Sequence, residues 1–543
     1  MGFCARRPAL ASAAVLVLAV APWLAGRGLQ NPDETRYAEI PREMIARGDF
    51  IVPYLNGVPF FEKPALGYWL EALSLAVFGP HEWALRLWPL LCAVVTVMLA
   101  ATIARRWYGS GAALAAGLVA ASSFLIVLYA QLVALDLLVA TLIAAAQAAF
   151  LDAAMRGPGT PGRAYLPLHV LCAFAVLAKG LIGVVLPGLA ILPWIFLMRR
   201  FDVLRGCLWL PGVLVFLLIA VPWHVLVELK QPGFLSFYFI HEHFQRFATT
   251  VTHRRQGVWF LPTVLLLGMI PWTGFLWPAL RRAWSGWRRR AVSAPVDLFL
   301  MLWAVTVFLF FWSSDSQLPG YLLPMICPLC VLVGRALADA EWSKETAIAI
   351  VPWLLVAAAI AVISGPVAGR VPALASLVGA VGPAWYFLPA AAALAALGSA
   401  ILLVRRWRAA IVPMLVGGAL LVWFAGMHVS DILQPRSIRD LLLAHAAEIG
   451  TADVVVYRSY LLDPAFYLAR PVIMVEAGEE LAYGASLAPR PDLMISRADL
   501  LERLRSGRPT YVLAREKDVP SLSETPLRRI GSEPPVVLLS NIP

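Results

Sequence analysis

Charge is the first thing this sequence has little of. Only 14% of its 543 residues are Asp, Glu, Lys or Arg, against about 25% in ordinary soluble domains. That excludes a water-soluble globule as the main body of the protein. Cysteine is scarce where it could act as a staple. Cys4, Cys92, Cys172, Cys207, Cys327 and Cys330 all lie in or beside apolar runs, and the large polar segments contain none. A disulfide framework is therefore excluded. Cys327 and Cys330 form a C-x-x-C, but inside an apolar helix without a βαβ context they read as packing residues. A Gly-x-Gly-x-x-Gly fingerprint and a P-loop are both missing, so nucleotide binding has no support. Internal repeats are missing too, unlike the mirrored halves of many secondary transporters.

What the sequence does have is hydrophobic length. It is 60% hydrophobic, and runs of about 20 apolar residues, enough to cross a bilayer, recur from Pro8 to about His428. The fold class is a polytopic α-helical membrane protein. About thirteen spans begin near residues 8, 81, 110, 133, 164, 183, 207, 258, 295, 320, 346, 384 and 409. "RRPALASAAVLVLAVAPWLAG" reads as an uncleaved signal anchor. The net charge of +11 reflects basic loops on one membrane side rather than nucleic-acid binding. "ARRWYG", "LMRRFDVLRG", "LRRAWSGWRRR" and "VRRWRAA" alternate with "YAQLVALD" and "SSDSQLPGY", which carry no Lys or Arg. By the positive-inside rule the N-terminus is cytoplasmic. The long loops at about 27–80 and 230–257 then face outward. An odd span count puts the tail, 431–543, on the same outer side. There "DVVVY", "PVIMVE", "TYVLA" and "PVVLLS" read as short buried strands, with "SRADLLERLRSG" and "LLAHAAEIG" as helices between them. That pattern predicts a small α/β domain.

Ionisable groups concentrate on the outer side. "RYAEIPREMIARGDF" has helical spacing, with Tyr37, Ile40, Met44 and Ile45 on one face, and "WLEALSLAVFG" is a second amphipathic piece. Both are expected to lie in the membrane interface. Around them stand Asp33, Glu34, Arg36, Tyr37, Glu62 and Lys63. Asp136 is alone among apolar residues, Lys179 interrupts another apolar run, and "FIHEHFQRF" holds His241, Glu242, His243 and Arg246. Each has an ordinary account: solvated ion pairs, a helix cap at Asp136, a snorkelling Lys179, an interfacial histidine loop. Together they suit a reaction on a phosphate-bearing lipid, in which cations hold the headgroup and a carboxylate handles the acceptor.

The stretch "NPDETRYAEIPREMIARGDFIVPYLNGVPFFEKPALGYW" closely resembles the signature of the bacterial aminoarabinose transferases, which are membrane glycosyltransferases of the C type (GT-C). "EHFQRF" and "SQLPGYLLP" resemble that family as well. The resemblance implies a multi-span transferase domain over 1–430 and an inner-membrane enzyme with a periplasmic site, acting as a monomer. The donor it implies is undecaprenyl-phosphate-linked 4-amino-4-deoxy-L-arabinose, the acceptor a lipid A phosphate, and the outcome resistance to polymyxin. Carried over by position, Asp33 and Asp136 are the catalytic acids. Arg36 and Lys63 contact the carrier phosphate, while Tyr37, Lys179, Arg246 and Tyr321 line the cavity. Glu62 and His243 match positions that touch a divalent, zinc-like ion. One position departs: where the family commonly has Lys before "LP", this chain has Gln317. Two rival readings are a C-type transferase of another polyprenyl sugar, to lipid or to a protein hydroxyl, and a lipid flippase. The outward clustering of charge weighs against the flippase.

Overall fold

The computed structural model describes residues 7–245, 256–339, 343–433, 437–476 and 479–542. Among them, eight helices are long and apolar enough to cross a bilayer: Glu82–Tyr108, Leu135–Ala154, Leu210–Lys230, Ala294–Trp312, Pro319–Ala338, Lys344–Arg370, Pro372–Arg405 and Arg408–Ser430. A ninth candidate is the pair Phe260–Gly268 and Thr273–Arg288, bent by 98°. The other four expected positions carry shorter helices, Pro8–Val20, Ser110–Ser122, Leu166–Lys179 and Ile182–Met198. Local backbone explains two of the early stops. Ser123 is extended and ends one helix. Gly180, at φ +84°, ends another, in a conformation L side chains rarely adopt.

The chain divides into two compact units. The first comprises Met1–Trp23, Pro89–Pro222 and Phe239–Leu433. Small residues let its helices approach closely, as is usual where lipid removes the hydrophobic drive between helices. A Cβ added to Gly334 would stand 2.4 Å from the backbone nitrogen of Ala116. One buried carboxylate in it, that of Asp297, is paired with neighbouring side chains. Asp297 accepts from the Tyr108 hydroxyl at 2.6 Å and the Ser293 hydroxyl at 2.8 Å, and forms an ion pair with Arg335.

The second unit comprises Leu24–Trp88, Trp223–Tyr238 and Gln434–Pro543. Helix Asp33–Arg47 opens it and stops at Gly48, at φ +66°. Tyr37, Ile40 and Met44 are buried as the spacing predicts, whereas Ile45 is exposed. Glu34, Arg36, Glu39 and Glu43 are buried too, so the polar side of this helix is not the solvated face of an interfacial helix. Ion pairs make that burial tolerable: Arg42 grips Glu39 at 2.6 Å and Arg47 meets Glu43 at 3.0 Å. Strands β1 (Tyr54–Leu55) and β2 (Val58–Pro59) form an antiparallel hairpin around Asn56-Gly57. Both turn residues have positive φ, the arrangement an Asn-Gly hairpin favours.

The tail builds a six-stranded sheet from β3 (Asp453–Tyr457), β4 (Ile473–Val475), β5 (Met494–Ile495), β6 (Thr510–Arg515), β7 (Arg528–Glu533) and β8 (Val536–Ser540). The order is β5-β4-β3-β6-β8-β7, with the first four strands parallel and the last two antiparallel. All four expected strands are present, and β5 and the polar edge strand β7 are additional. Helix Arg497–Arg505 starts at a capping box, Ser496 with Asp499. The Asn56 amide exchanges two hydrogen bonds with the Val472 backbone, at 2.9 and 2.8 Å, which fastens the hairpin to the sheet.

At the root of this unit lies Arg86, wholly buried. Its Nε and one Nη donate to Glu34 at 3.1 and 3.0 Å. Its remaining N–H groups reach the carbonyls of Leu24, Arg27 and Gly28 at 2.8–3.0 Å. Arg27 adds a second cation to Glu34 at 2.6 Å. Burial pushes the Glu34 carboxyl up, but Arg86 and Arg27 outweigh it and hold the pKa at about 2. Removing one partner of such a pair strands a buried charge, at a cost of about 3–5 kcal/mol. Arg86→Ala is therefore expected to lower the unfolding midpoint sharply. In the native protein this contribution is present above the ordinary carboxylate value near 4.5 and is lost as pH falls toward about 2. Thermal melts of both proteins between pH 7 and pH 3 check this. A wild-type midpoint no more acid-sensitive than that of Arg86→Ala would contradict it.

Candidate active site

Two groups of site residues emerge, one in each unit. In the second unit, helix Asp33–Arg47 places Asp33 and Arg36 three residues apart, on one face, with Arg36 Nη1 3.6 Å from the Asp33 carboxylate. Their environments differ: the Asp33 side chain is 74% exposed, that of Arg36 only 7%. Arg36 also pairs with Glu480 at 2.5 Å and stands 5.9 Å above the Phe60 ring. Burial on its own would lower the Arg36 pKa. Glu480, then Tyr460, Tyr37 and Glu62, more than offset that and raise it. Arg36 is thus a permanent cation in a dry setting, where its field is strongest. Its Nε is buried with no hydrogen-bond partner. Tyr37 packs its ring 6.0 Å from that of Tyr68. Lys63 donates to the Glu62 carbonyl at 2.7 Å, with the Glu62 carboxylate 3.9 Å away.

In the first unit, Asp136 sits in the first turn of helix Leu135–Ala154 and Lys179 at the last residue of Leu166–Lys179. The cap position belongs to Ala134, so Asp136 is not the N-cap. Lys179 meets Asp136 at 2.5 Å and lies 5.0 Å over the Tyr321 ring. Tyr321 is brought there by the "SQLPGY" turn, and Gly320 makes the approach possible. A Cβ on Gly320 would fall 2.7 Å from both the Asp136 carboxylate and the Tyr129 hydroxyl. Gln317 provides no cation in this turn. Its amide nitrogen donates to the carbonyls of Trp312 and Ser314, holding the loop itself.

Arg246 and the His243 side chain lie outside the described residues. Among the described residues, no group of three or more His, Cys, Asp or Glu is arranged to hold a metal ion. Glu62 has the cation of Lys63 beside it, which is a poor neighbour for a second one.

Sequence reasoning missed Glu480, Tyr460, Tyr68 and Arg86. Glu480 and Tyr460 are more than 400 positions from Arg36, in a tail with no motif to flag them. Arg86 sits at the start of an apolar span, where a basic residue reads as a flank.

Comparison with known proteins bears directly on this geometry. Residues 62–225 match the profile of the dolichyl-phosphate-mannose-protein mannosyltransferases. The chain is 37% identical over 313 residues to the undecaprenyl phosphate-alpha-4-amino-4-deoxy-L-arabinose arabinosyl transferase of Edwardsiella ictaluri, covering 57% of this chain and 56% of that one. It thus spans little more than half the length of the curated relatives it matches. In three dimensions the match is far longer. ArnT from Cupriavidus metallidurans, solved with undecaprenyl phosphate bound, superimposes over 98% of both chains with a TM-score of 0.84 and 27% identity. The oligosaccharyltransferase AglB of Archaeoglobus fulgidus, at 12% identity and a TM-score of 0.55 over 95% of this chain and 70% of its own, shares the fold alone. The protein is a multi-pass membrane protein with the fold of the C-type glycosyltransferases, and its structural likeness to ArnT extends over 98% of the chain.

Gly320→Ala tests the close approach of the Tyr321 turn to Asp136. Forcing a methyl group into a packed contact costs about 1–3 kcal/mol, so the variant should melt clearly below wild type in detergent. Gly188→Ala, where an added Cβ meets nothing within 4 Å, should not. Equal midpoints for the two variants would show that the turn gives way freely.

Proposed function

We propose that this chain, built like the aminoarabinose transferases, moves 4-amino-4-deoxy-L-arabinose from undecaprenyl phosphate to a phosphate of lipid A at the periplasmic face of the bacterial inner membrane. The observation that carries the reading is the superposition on ArnT over 98% of both chains. An amine-bearing sugar on a lipid A phosphate offsets the negative charge that attracts cationic peptides. Resistance to polymyxin is the physiological side of the proposal.

The chemistry is one displacement. An oxygen of the acceptor phosphate attacks the anomeric carbon, the bond to the carrier phosphate breaks, and the electron pair leaves with that phosphate, inverting the carbon. The leaving group is a phosphodiester oxygen, so the main task is to hold and neutralise it. Arg36 and Lys63 take that role, since cations act most strongly where water is excluded. A phosphomonoester has its second pKa near about 6 and is largely ionised at neutral pH. Exposed Asp33 therefore acts by orienting the acceptor more than by taking a proton. The resemblance assigns Asp136 a second catalytic role and gives Lys179, Tyr37, Arg246 and Tyr321 roles in binding. No step is routed through a metal ion.

A second reading has one observation in its favour, the mannosyltransferase profile over residues 62–225. In it the acceptor is a protein hydroxyl, which must lose a proton, and Asp33 becomes a true base. Purified enzyme given the donor with either lipid A or a hydroxyl-bearing peptide separates the two, with mass spectrometry reporting which acceptor gains the sugar. Under the lipid A reading Asp33→Asn should cut turnover by about 100-fold, the cost of a misplaced reacting group, while donor affinity survives. Lys63→Ala should do the reverse, weakening donor binding by about 1.5–3 kcal/mol, the value of a charge-assisted contact. Near-normal turnover in folded Asp33→Asn would remove Asp33 from the mechanism.

Sidedness is part of the proposal and rests on the alternation of basic loops. Single cysteines at Ala46 and Ser506, both exposed, should react with an impermeant thiol reagent added from the periplasm. Protection of either one in intact cells, with labelling after lysis, would reverse the assigned topology.

A further inference from the structure

The tail sheet has the connectivity of a doubly wound fold. From β3 the chain moves outward to β4 and β5, then crosses back to β6 on the other side of β3. In such sheets the crevice beyond the carboxyl ends of the strands, where the winding reverses, is where ligands bind. The turns leaving β3 and β4 are linked there by Arg458 and Glu476 at 2.5 Å. The turn after β3 carries Ser459 and Tyr460, and the segment after β4 carries Glu480, which grips Arg36 at 2.5 Å. The carboxyl edge of the sheet therefore meets the cation of the first loop, all within one compact unit.

Three buried donors are left over at this edge, on Arg36, Ser459 and Tyr460. Arg36 Nε and the Tyr460 hydroxyl are both sealed from solvent without a hydrogen-bond partner. Tyr460 is near enough to Arg36, Glu480 and Glu62 to sense each charge, and burial foremost pushes its phenol further toward the protonated form. A guanidinium only donates, so whatever contact the two make, the phenolic proton still lacks an acceptor. Buried donors without acceptors are rare and costly in native structures. An acceptor-only group that satisfies both at once is a phosphate oxygen.

We propose that Tyr460, delivered by the carboxyl edge of the tail sheet, donates its hydroxyl proton to the phosphate of the polyprenyl carrier beside Arg36. The tail thereby supplies a direct contact to the donor. This rests on the reading of Arg36 as a phosphate contact and extends it to a residue outside the first loop.

The test uses full-length protein in nanodiscs and two probes, undecaprenyl phosphate and the uncharged alcohol undecaprenol. Tyr460→Phe keeps the ring and removes only the hydroxyl. It should bind undecaprenyl phosphate about tenfold more weakly or worse, as expected for loss of a hydrogen bond to a charged group. Undecaprenol binding and the melting midpoint should match wild type. Unchanged affinity for the phosphate would overturn the proposal, and so would an equal loss for the alcohol. The comparison needs no sugar transfer, so a wild-type protein that fails to transfer aminoarabinose would sink the functional reading and leave this result standing.

Discussion

A buried arginine organises the second unit. Arg86 brings a full charge into the interior, which is tolerable only because all five of its N–H groups find oxygen. Three of those oxygens are carbonyls of the chain just ahead of helix Asp33–Arg47, and the others belong to Glu34 in its first turn. Fixing Glu34 fixes the rotation of that helix. At about 100° per residue, Asp33 and Arg36 fall together on another face, clear of the Arg86 anchor. The acid-resistant pair is thus what aims the candidate catalytic acid and the candidate phosphate contact.

This helix and the residues just ahead of it are tied to the tail at several points. Asn31 accepts from the Leu462 backbone at 3.0 Å, Leu29 donates to the Tyr467 hydroxyl at 3.0 Å, and Arg42 reaches the Ala469 carbonyl at 3.1 Å. With the Asn56–Val472 pair, these bonds make the first loop and the tail one folded body. The absence of a nucleotide fingerprint in a doubly wound sheet then has a physical sense. The edge that usually holds a ligand alone is here completed by Arg36 from another part of the chain.

Much of this was legible in the residues. Apolar run length located helices at all thirteen expected positions, and short continuous apolar runs located β3, β4, β6 and β8. The polar edge strand β7, "RRIGSE", has no alternation to read, and β5 is two residues long. The Asn56-Gly57 pair between short apolar runs is a strong local hairpin signal. Burial of the polar side of helix Asp33–Arg47 was not legible, because helical periodicity cannot tell a solvated acid from one whose partner comes from elsewhere. At the site, Asp33, Arg36, Glu62 and Lys63 stand out through local motif. Glu480 and Tyr460 join Arg36 only through the tertiary fold.

Arg36 and Arg86 show how one residue type divides between building and binding. Both are deeply buried and both face carboxylates. Arg86 has every donor satisfied within the protein, so nothing further can bind to it and its removal is a matter of stability. Arg36 has one pair at 2.5 Å, one loose pair at 3.6 Å and a buried Nε with no acceptor. Local satisfaction is the rule from which natural proteins depart at functional sites. A cation that is dry, permanently charged and incompletely bonded binds an incoming anion with little reorganisation, because its desolvation has already been met by folding. The open donor on Arg36 is tolerable because the saturated Arg86 nearby in sequence carries the stability of the unit.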